Sequence, residues 1–230
     1  MSSALPDFDA IYAGAVNVSG GEVSSGEGQV PWNIGEPQPA IGALIDAGEV
    51  RGTVLDAGCG IGETALYLAG LGYSVVGLDL SPTAIGRARQ RATERGLDVE
   101  FGIADITSFT GYDGRFDTVV DSTLFHSMPV SGRRGYLSSI ARAAAPGAVL
   151  HVLVFAEDVW FPPEAGPNKV DEAELRAAVG EFWTVRSVRR SSITAVMTGE
   201  MAAHAPADDR GRSLLPAYLL TATRPDAAEA

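Results

Sequence analysis

The chain has 230 residues, 46% of them hydrophobic and 20% charged, which suits one α/β domain with a substantial core. Its 29 acidic residues outnumber 17 lysines and arginines, giving a formal net charge of -12, and such an average surface repels nucleic acid and acidic membranes. Cys59 is the single cysteine, which excludes an internal disulfide and a cysteine-built metal site.

The amino-terminal residues lack the cationic and apolar segments of a signal peptide, and no stretch is apolar enough to span a bilayer, so a cytoplasmic protein is expected. One domain covers 1–230, and within it 1–36 reads as an amino-terminal lid or substrate segment. It holds a short helix at Asp7 to Tyr12 and a loose Gly/Ser/Glu stretch, Gly20 to Gly28. Residues 17–29 are expected to become ordered when ligands bind. Ile41, Leu44 and Ile45 fall at helical spacing, and Gly48 is placed to end that helix.

A regular alternation follows. Thr53 to Ala57 reads as a buried strand, Glu63 to Leu71 as a helix and Ser74 to Leu78 as the next strand. Ser81 caps a helix that begins at Pro82 and runs to Arg95. Val99 to Ile103 and Phe116 to Asp121 are the third and fourth strands, Arg133 to Ala144 is a helix ended by Pro146 and Gly147, and Ala148 to Phe155 is the fifth strand. Asp171 opens another helix, with Glu174 in capping-box position. Phe182 to Met197 and Ser213 to Thr223 are extended with no crossover helix between them, so they pair antiparallel. The sum is a Rossmann-like, seven-stranded, mostly parallel α/β sheet with helices on both faces and a carboxy-terminal antiparallel hairpin. The terminal residues 226–230 read as a frayed tail.

Val54-Leu55-Asp56-Ala57-Gly58-Cys59-Gly60-Ile61-Gly62 is a strand running into a glycine turn and a helix. Gly58 and Gly60 let the backbone approach a ligand closely, while the helix amino terminus favours a carboxylate or phosphate. Asp79 ends the second strand, where a carboxylate can accept both hydrogen bonds of a ribose diol, and Leu80 follows to cover an adenine face. Asp105, after the third strand, can accept from an adenine amino group while the Ile106 amide donates to a ring nitrogen. Any one of these aspartates alone would pass for a solvated strand end or a cap. Three at successive strand ends mark the edge where open α/β sheets bind ligands. Glu63 stands where a pyrophosphate-binding turn carries its third glycine, which argues against a nicotinamide dinucleotide and the reductase that would use it.

Asp56 to Gly62, Asp79 and Asp105 together resemble the signature of class I S-adenosylmethionine-dependent methyltransferases, over about Pro37 to Phe155. The resemblance implies S-adenosylmethionine as cofactor, S-adenosylhomocysteine as product and no metal. Trp32, Asp56, Gly58, Gly60, Asp79, Leu80, Asp105, Ile106 and Asp121 would surround the cofactor. Three further pieces are similar to mycobacterial methyltransferases that inactivate heterocyclic toxins, hydroxyquinolones among them, formerly described as benzoquinone methyltransferases. They are Phe8-Asp9-Ala10-Ile11-Tyr12, Pro31-Trp32-Asn33-Ile34-Gly35-Glu36-Pro37-Gln38-Pro39 and Asp121-Ser122-Thr123-Leu124-Phe125-His126-Ser127-Met128-Pro129. The Pro-Trp-Asn-x-Gly piece also resembles thiopurine and halide or thiol methyltransferases, which usually carry Asp where Asn33 stands.

Methyl transfer from a sulfonium is an in-line displacement, so alignment in a dry pocket supplies most of the catalysis. The segment Asp121 to Pro129 is placed to meet the methyl group. It contains His126, whose ordinary pKa of about 6.5 suits a general base for a phenol or N-hydroxyl; the competing reading is a packing histidine. His151, within a strand, reads as structural and His204 as a solvated loop residue. Tyr12, Trp32, Phe125, Trp160 and Phe161 are the aromatics expected around a flat aromatic small-molecule substrate.

Other chemistries lack their residues. Cys59 is poorly placed as the nucleophile of a pyrimidine methyltransferase, and the fourth strand does not end in Asn/Asp-Pro-Pro-Tyr/Phe. Phe155-Ala156-Glu157-Asp158 lacks the Asp-Asn pair of magnesium-dependent catechol enzymes, although Asp121 keeps a metal in view. The expected activity is O-methylation of a small heterocycle with an acidic hydroxyl, as a detoxification. The alternatives are a quinone or thiol/thiopurine methyltransferase and a non-catalytic S-adenosylmethionine-binding regulatory protein.

Overall fold

The computed structural model describes residues 7–15, 30–161 and 166–226. The ligand-induced ordering expected of residues 17–29 lies outside the described residues, as do 227–230 of the tail. The strands are β1 (Thr53–Ala57), β2 (Ser74–Asp79), β3 (Glu100–Ile103), β4 (Phe116–Ser122), β5 (Ala144–Phe155), β6 (Thr184–Ala195) and β7 (Ser213–Thr223). They form one sheet in the order β3-β2-β1-β4-β5-β7-β6. Neighbours from β3 through β5 are parallel, and β7 lies antiparallel between β5 and β6, which is the expected fold class.

The helices are α1 (Phe8–Tyr12), α2 (Pro39–Asp46), α3 (Glu63–Gly70), α4 (Pro82–Arg95), α5 (Val130–Ala143), α6 (Glu172–Gly180) and α7 (Gly199–Ala203). Alternating strand residues feed two apolar layers, as the period of two along a strand requires. Leu55, Val119 and Val152 pack with Tyr136, Leu137 and Ile140 of α5 and with Leu175 and Val179 of α6. Val54, Val120 and Leu153 pack with Ile41 of α2, Leu66 and Leu68 of α3 and Ile85 of α4. Burial on both faces is why these strands read as continuous apolar runs. In α4 the Ser81 side chain accepts the Ala84 N–H at 3.0 Å, Pro82 occupies the first turn, and Gly96 closes the helix at φ +64°.

Three local expectations differ from the structure. α5 begins at Val130, three residues before Arg133, with Pro129 at its cap. β5 begins at Ala144 and takes in Pro146 and Gly147, because a bulge opposite Phe116 and Thr118 leaves the proline outside the regular ladder. The Asp171 side chain caps α6 through the Glu174 N–H at 2.7 Å, but the Glu174 carboxylate pairs with Arg133 rather than reaching back. The short α7 interrupts the stretch before β7 without serving as a crossover, and β6 and β7 still pair antiparallel from Thr184↔Thr223 to Ala195↔Ser213.

Candidate active site

β1 has β2 on one side and β4 on the other, so the chain reverses its direction of sheet growth there and leaves a crevice at the carboxyl ends of the strands. A cavity of about 380 Å³ occupies it. The glycine turn after β1 forms one wall. Gly58 has φ +68°, and a Cβ there would stand 2.8 Å from Leu124 Cδ1. Gly60 has φ +54°, and a Cβ there would stand 2.5 Å from the Tyr12 hydroxyl. Only glycine tolerates both the left-handed backbone and this closeness.

Carboxylates dominate the charge. Asp56 is buried and its side chain accepts the Ala65 N–H at 3.0 Å, which ties the end of β1 to the first turn of α3. Burial raises its pKa to about 7, and the negative charges of Asp79 and Asp121 add to the shift. Asp79 accepts the N–H groups of Gly60 at 2.8 Å and Ser81 at 2.9 Å, and burial raises its pKa as well. Asp105 is exposed; its Oδ1 accepts from the Thr107 amide at 2.9 Å and the Thr107 hydroxyl at 2.7 Å. Leu80 and Ile106 also line the cavity. The described lining holds no lysine or arginine; of its five carboxylates Glu36 is paired with Arg210 and Arg212 and Glu63 with Arg91, which leaves those of Asp56, Asp79 and Asp105 without an ion-pair partner in the lining. Such a chamber favours a cation and disfavours a diphosphate.

Asp121 is a correction: it lies behind the cavity instead of lining it. Fully buried, it accepts from the Tyr136 hydroxyl at 2.8 Å and from the Leu124 and Phe125 amides at 2.8 and 3.3 Å. Burial raises its pKa to about 7. Its work is to hold the turn that leaves β4, where Thr123 takes a φ of 80°, a costly conformation for a β-branched residue.

Residues of α1 and of the stretch from Val30 to Gln38 line the cavity as well. Trp32 Nε1–H donates to the Tyr12 hydroxyl at 3.3 Å, and the Phe8 ring meets Trp32 edge-on at 6.5 Å. Asp9 latches α1 to the start of α4, accepting from the Ser81 hydroxyl at 2.6 Å and the Thr83 amide at 2.9 Å. These bonds, the Ser81 hydroxyl first, hold the Asp9 pKa below the usual range. Gln38 stitches the segment to β6: its side-chain amide donates to Thr194 O at 2.9 Å and accepts from Thr194 N at 2.8 Å.

His126 lines the cavity, but its hydrogen bonding does not fit the expected general base. The Phe155 N–H donates to its Nδ1 at 3.1 Å, and the two rings pack with centroids 4.3 Å apart. A ring that accepts at Nδ1 carries its neutral-state proton on Nε2. Burial, with the positive charge of Arg133 nearby, lowers the His126 pKa to about 3. The nitrogen that could have been basic is therefore spent on the backbone.

Two of the five expected aromatics lie elsewhere. Phe125 is fully buried, because the Asp121 bond to its amide turns it into the core between the Arg133 guanidinium at 4.5 Å and the Tyr136 ring at 6.5 Å. Trp160 stacks on His204 with centroids 3.8 Å apart, away from the lining, and His204 is exposed as expected. Tyr12, Trp32 and Phe161 do line the cavity. His151 joins Thr221 and the Glu49 carbonyl within the sheet, a structural role. Met128, Phe155, Ile193, Ala195 and Met197 complete an apolar half that the sequence reading missed. The spacing of Ile193, Ala195 and Met197, two apart at the end of a strand, was the available signal.

Comparison with known proteins adds four relationships. A methyltransferase domain family model matches residues 54–147. The chain is 59% identical over 160 residues, 69% of its length and 70% of the other protein, to the 2-heptyl-1-hydroxyquinolin-4(1H)-one methyltransferase of Mycobacteroides abscessus. It is 32% identical over 145 residues, 62% of its length and 64% of the relative, to a probable thiol methyltransferase of Arabidopsis thaliana. A solved structure described under the conversion of a disulfide bond into a thioacetal group during echinomycin biosynthesis shares 37% identity. It has a TM-score of 0.81 and the match covers 96% of this chain and 92% of that one.

Proposed function

The chain belongs to the class I S-adenosylmethionine-dependent methyltransferases, and we propose that it O-methylates a small aromatic heterocycle bearing an acidic hydroxyl, such as a 1-hydroxy- or 3-hydroxyquinolin-4(1H)-one, in a detoxifying role. The observation that carries this reading is a cavity with an acidic half and an apolar half, in a chain 59% identical over 160 residues to a hydroxyquinolone methyltransferase.

The residues present fit the cofactor. The tight turn at Gly58 and Gly60 lines the cavity with backbone, and the carboxylates beside it suit a sulfonium cation. When bound, S-adenosylmethionine supplies an electrophilic methyl group. Asp79 would hold the ribose diol, Asp105 and Ile106 the adenine edge, and Leu80 an adenine face. Tyr12 and Trp32 exclude water from above, while Phe161, Met128, Ile193 and Met197 offer the acceptor a dry, flat space. The reading needs no metal, and Asp121, the carboxylate that kept one in view, is committed to Tyr136 and two amides.

A second reading, a sulfur acceptor, draws on the thiol methyltransferase and disulfide-to-thioacetal relatives. A panel of hydroxyquinolones, quinols and thiols, scored by mass for gain of one methyl, separates the two. The hydroxyquinolones are expected to turn over fastest; faster turnover of thiols would replace the first reading by the second.

A further inference from the structure

His126 is held on three sides. Its Nδ1 accepts the Phe155 amide, its ring lies against Phe155, and its backbone carbonyl accepts the Asn168 amide at 3.1 Å and the Asn168 side chain at 3.3 Å. The charge acting on the ring is that of Arg133 from α5, itself paired with Glu174. The ring is only 2% exposed, yet it lines the cavity together with Met128, Phe155 and Phe161. With Nδ1 engaged by the backbone, the polar group the ring has left to offer is its Nε2–H.

We infer that His126 is a substrate-binding hydrogen-bond donor whose Nε2–H recognises a second oxygen of the acceptor heterocycle, the ring carbonyl, so that the acceptor is selected in its ionised form. This rests on the hydroxyquinolone reading above. In an ionised 1-hydroxyquinolin-4(1H)-one the vinylogous path through the ring nitrogen puts negative charge on the carbonyl oxygen, and a donor placed there binds the anion better than the neutral acid. The hydroxyl proton leaves to solvent before binding. An oxygen lone pair then forms the new C–O bond as the S–CH3 bond breaks, its electron pair staying on sulfur, so an anion and a sulfonium become a neutral ether and a neutral thioether. A water-excluded pocket favours that loss of charge. Acceptors without a second oxygen are discriminated against, since they leave the N–H unpaired.

Two variants divide the functions of the ring. His126→Asn keeps an oxygen near the position of Nδ1 for the Phe155 amide but has no donor at the far side; His126→Gln carries an amide to the position of Nε2. With 2-heptyl-1-hydroxyquinolin-4(1H)-one as acceptor, His126→Asn is expected to melt near wild type and to raise KM about 10- to 100-fold, by the same factor at every pH. His126→Gln is expected to recover most of that loss even if it melts lower. Nitrogen-15 spectra of histidine-labelled protein, assigned with the variants, are expected to show His126 neutral and protonated at Nε2 from pH 5 to 9. A penalty for His126→Asn that vanishes as pH rises, an unchanged KM, or a proton on Nδ1 would overturn the inference while leaving the substrate reading intact. Wild-type protein that binds S-adenosylmethionine but turns over no hydroxyquinolone would overturn the substrate reading and this inference with it.

Discussion

Asp79 accepts the backbone N–H of Gly60 at 2.8 Å, so the carboxylate at the edge of the cavity also shapes the glycine turn opposite it. The sequence alone suggests that Asp79→Ala would leave the fold untouched. The bonds to Gly60 and Ser81 revise that expectation. Asp79→Ala is expected to weaken S-adenosylmethionine binding about 10- to 100-fold and to lower the melting temperature, because two amides lose a charged acceptor. Asp79→Asn, which keeps one acceptor oxygen, should recover more of the stability than of the affinity. Calorimetric titration beside thermal unfolding checks both; unchanged affinity in either variant would remove Asp79 from the cofactor site.

Gly60→Ala should act through Tyr12. The added methyl would stand 2.5 Å from the Tyr12 hydroxyl, and φ +54° strains any larger residue. Loss of cofactor binding is the expected outcome. Combining it with Tyr12→Phe should recover part of the loss, since the clashing oxygen is removed and the backbone strain remains. A double-variant cycle in cofactor affinity measures that coupling.

The bond pair from Asp9 to Ser81 and Thr83 is the latch of α1 on α4. Asp9→Ala is expected to speed hydrogen exchange at residues 8–12 and to weaken cofactor binding several-fold, with little change in the exchange of β1 or β4. Uniform acceleration across the sheet would show instead that Asp9 supports the whole fold.

The acidic lining gives cofactor binding a pH dependence with a definite sign. Asp56 in the free protein keeps its proton up to about pH 7, against an ordinary value near 3.9. By itself this raised pKa stabilises the fold only while Asp56 is protonated, a contribution fully present below about pH 3.9 and lost as pH rises through about 7. A bound sulfonium favours the ionised form. S-adenosylmethionine affinity should therefore climb between about pH 5 and pH 7 and level off above, with proton release in calorimetry. S-adenosylhomocysteine, with a neutral sulfur, should show a weaker slope. Equal slopes for the two ligands would separate Asp56 from the sulfonium.

Much of this site was readable without coordinates, and the limits have physical causes. The strand-end aspartates and the glycine turn are local: a strand, a tight turn and a helix start place Asp56, Gly58, Gly60 and Asp79 wherever the parallel sheet forms. The turn after β4 is different. Whether Phe125 or His126 faces the cavity depends on which way Asp121 pulls the backbone, and that is decided by Tyr136 of α5, fifteen residues on. The histidine's tautomer is out of reach of local sequence for the same reason, since it is set by the Phe155 amide, 29 residues away. The chemistry of Trp160 suits a pocket, yet His204, just after α7 in the middle of the β6–β7 connection, takes its face. Contacts across the sequence, not composition, sorted these residues.

The most direct test of the proposed activity is to incubate the purified chain with S-adenosylmethionine carrying a carbon-13 methyl group and 2-heptyl-1-hydroxyquinolin-4(1H)-one, and to locate the label in the product by NMR. A single labelled methyl on the former hydroxyl oxygen, with one S-adenosylhomocysteine formed per product, is the expected result. A label on nitrogen or carbon, or cofactor binding without transfer to this acceptor, would contradict O-methylation of a hydroxyquinolone as the activity of this chain.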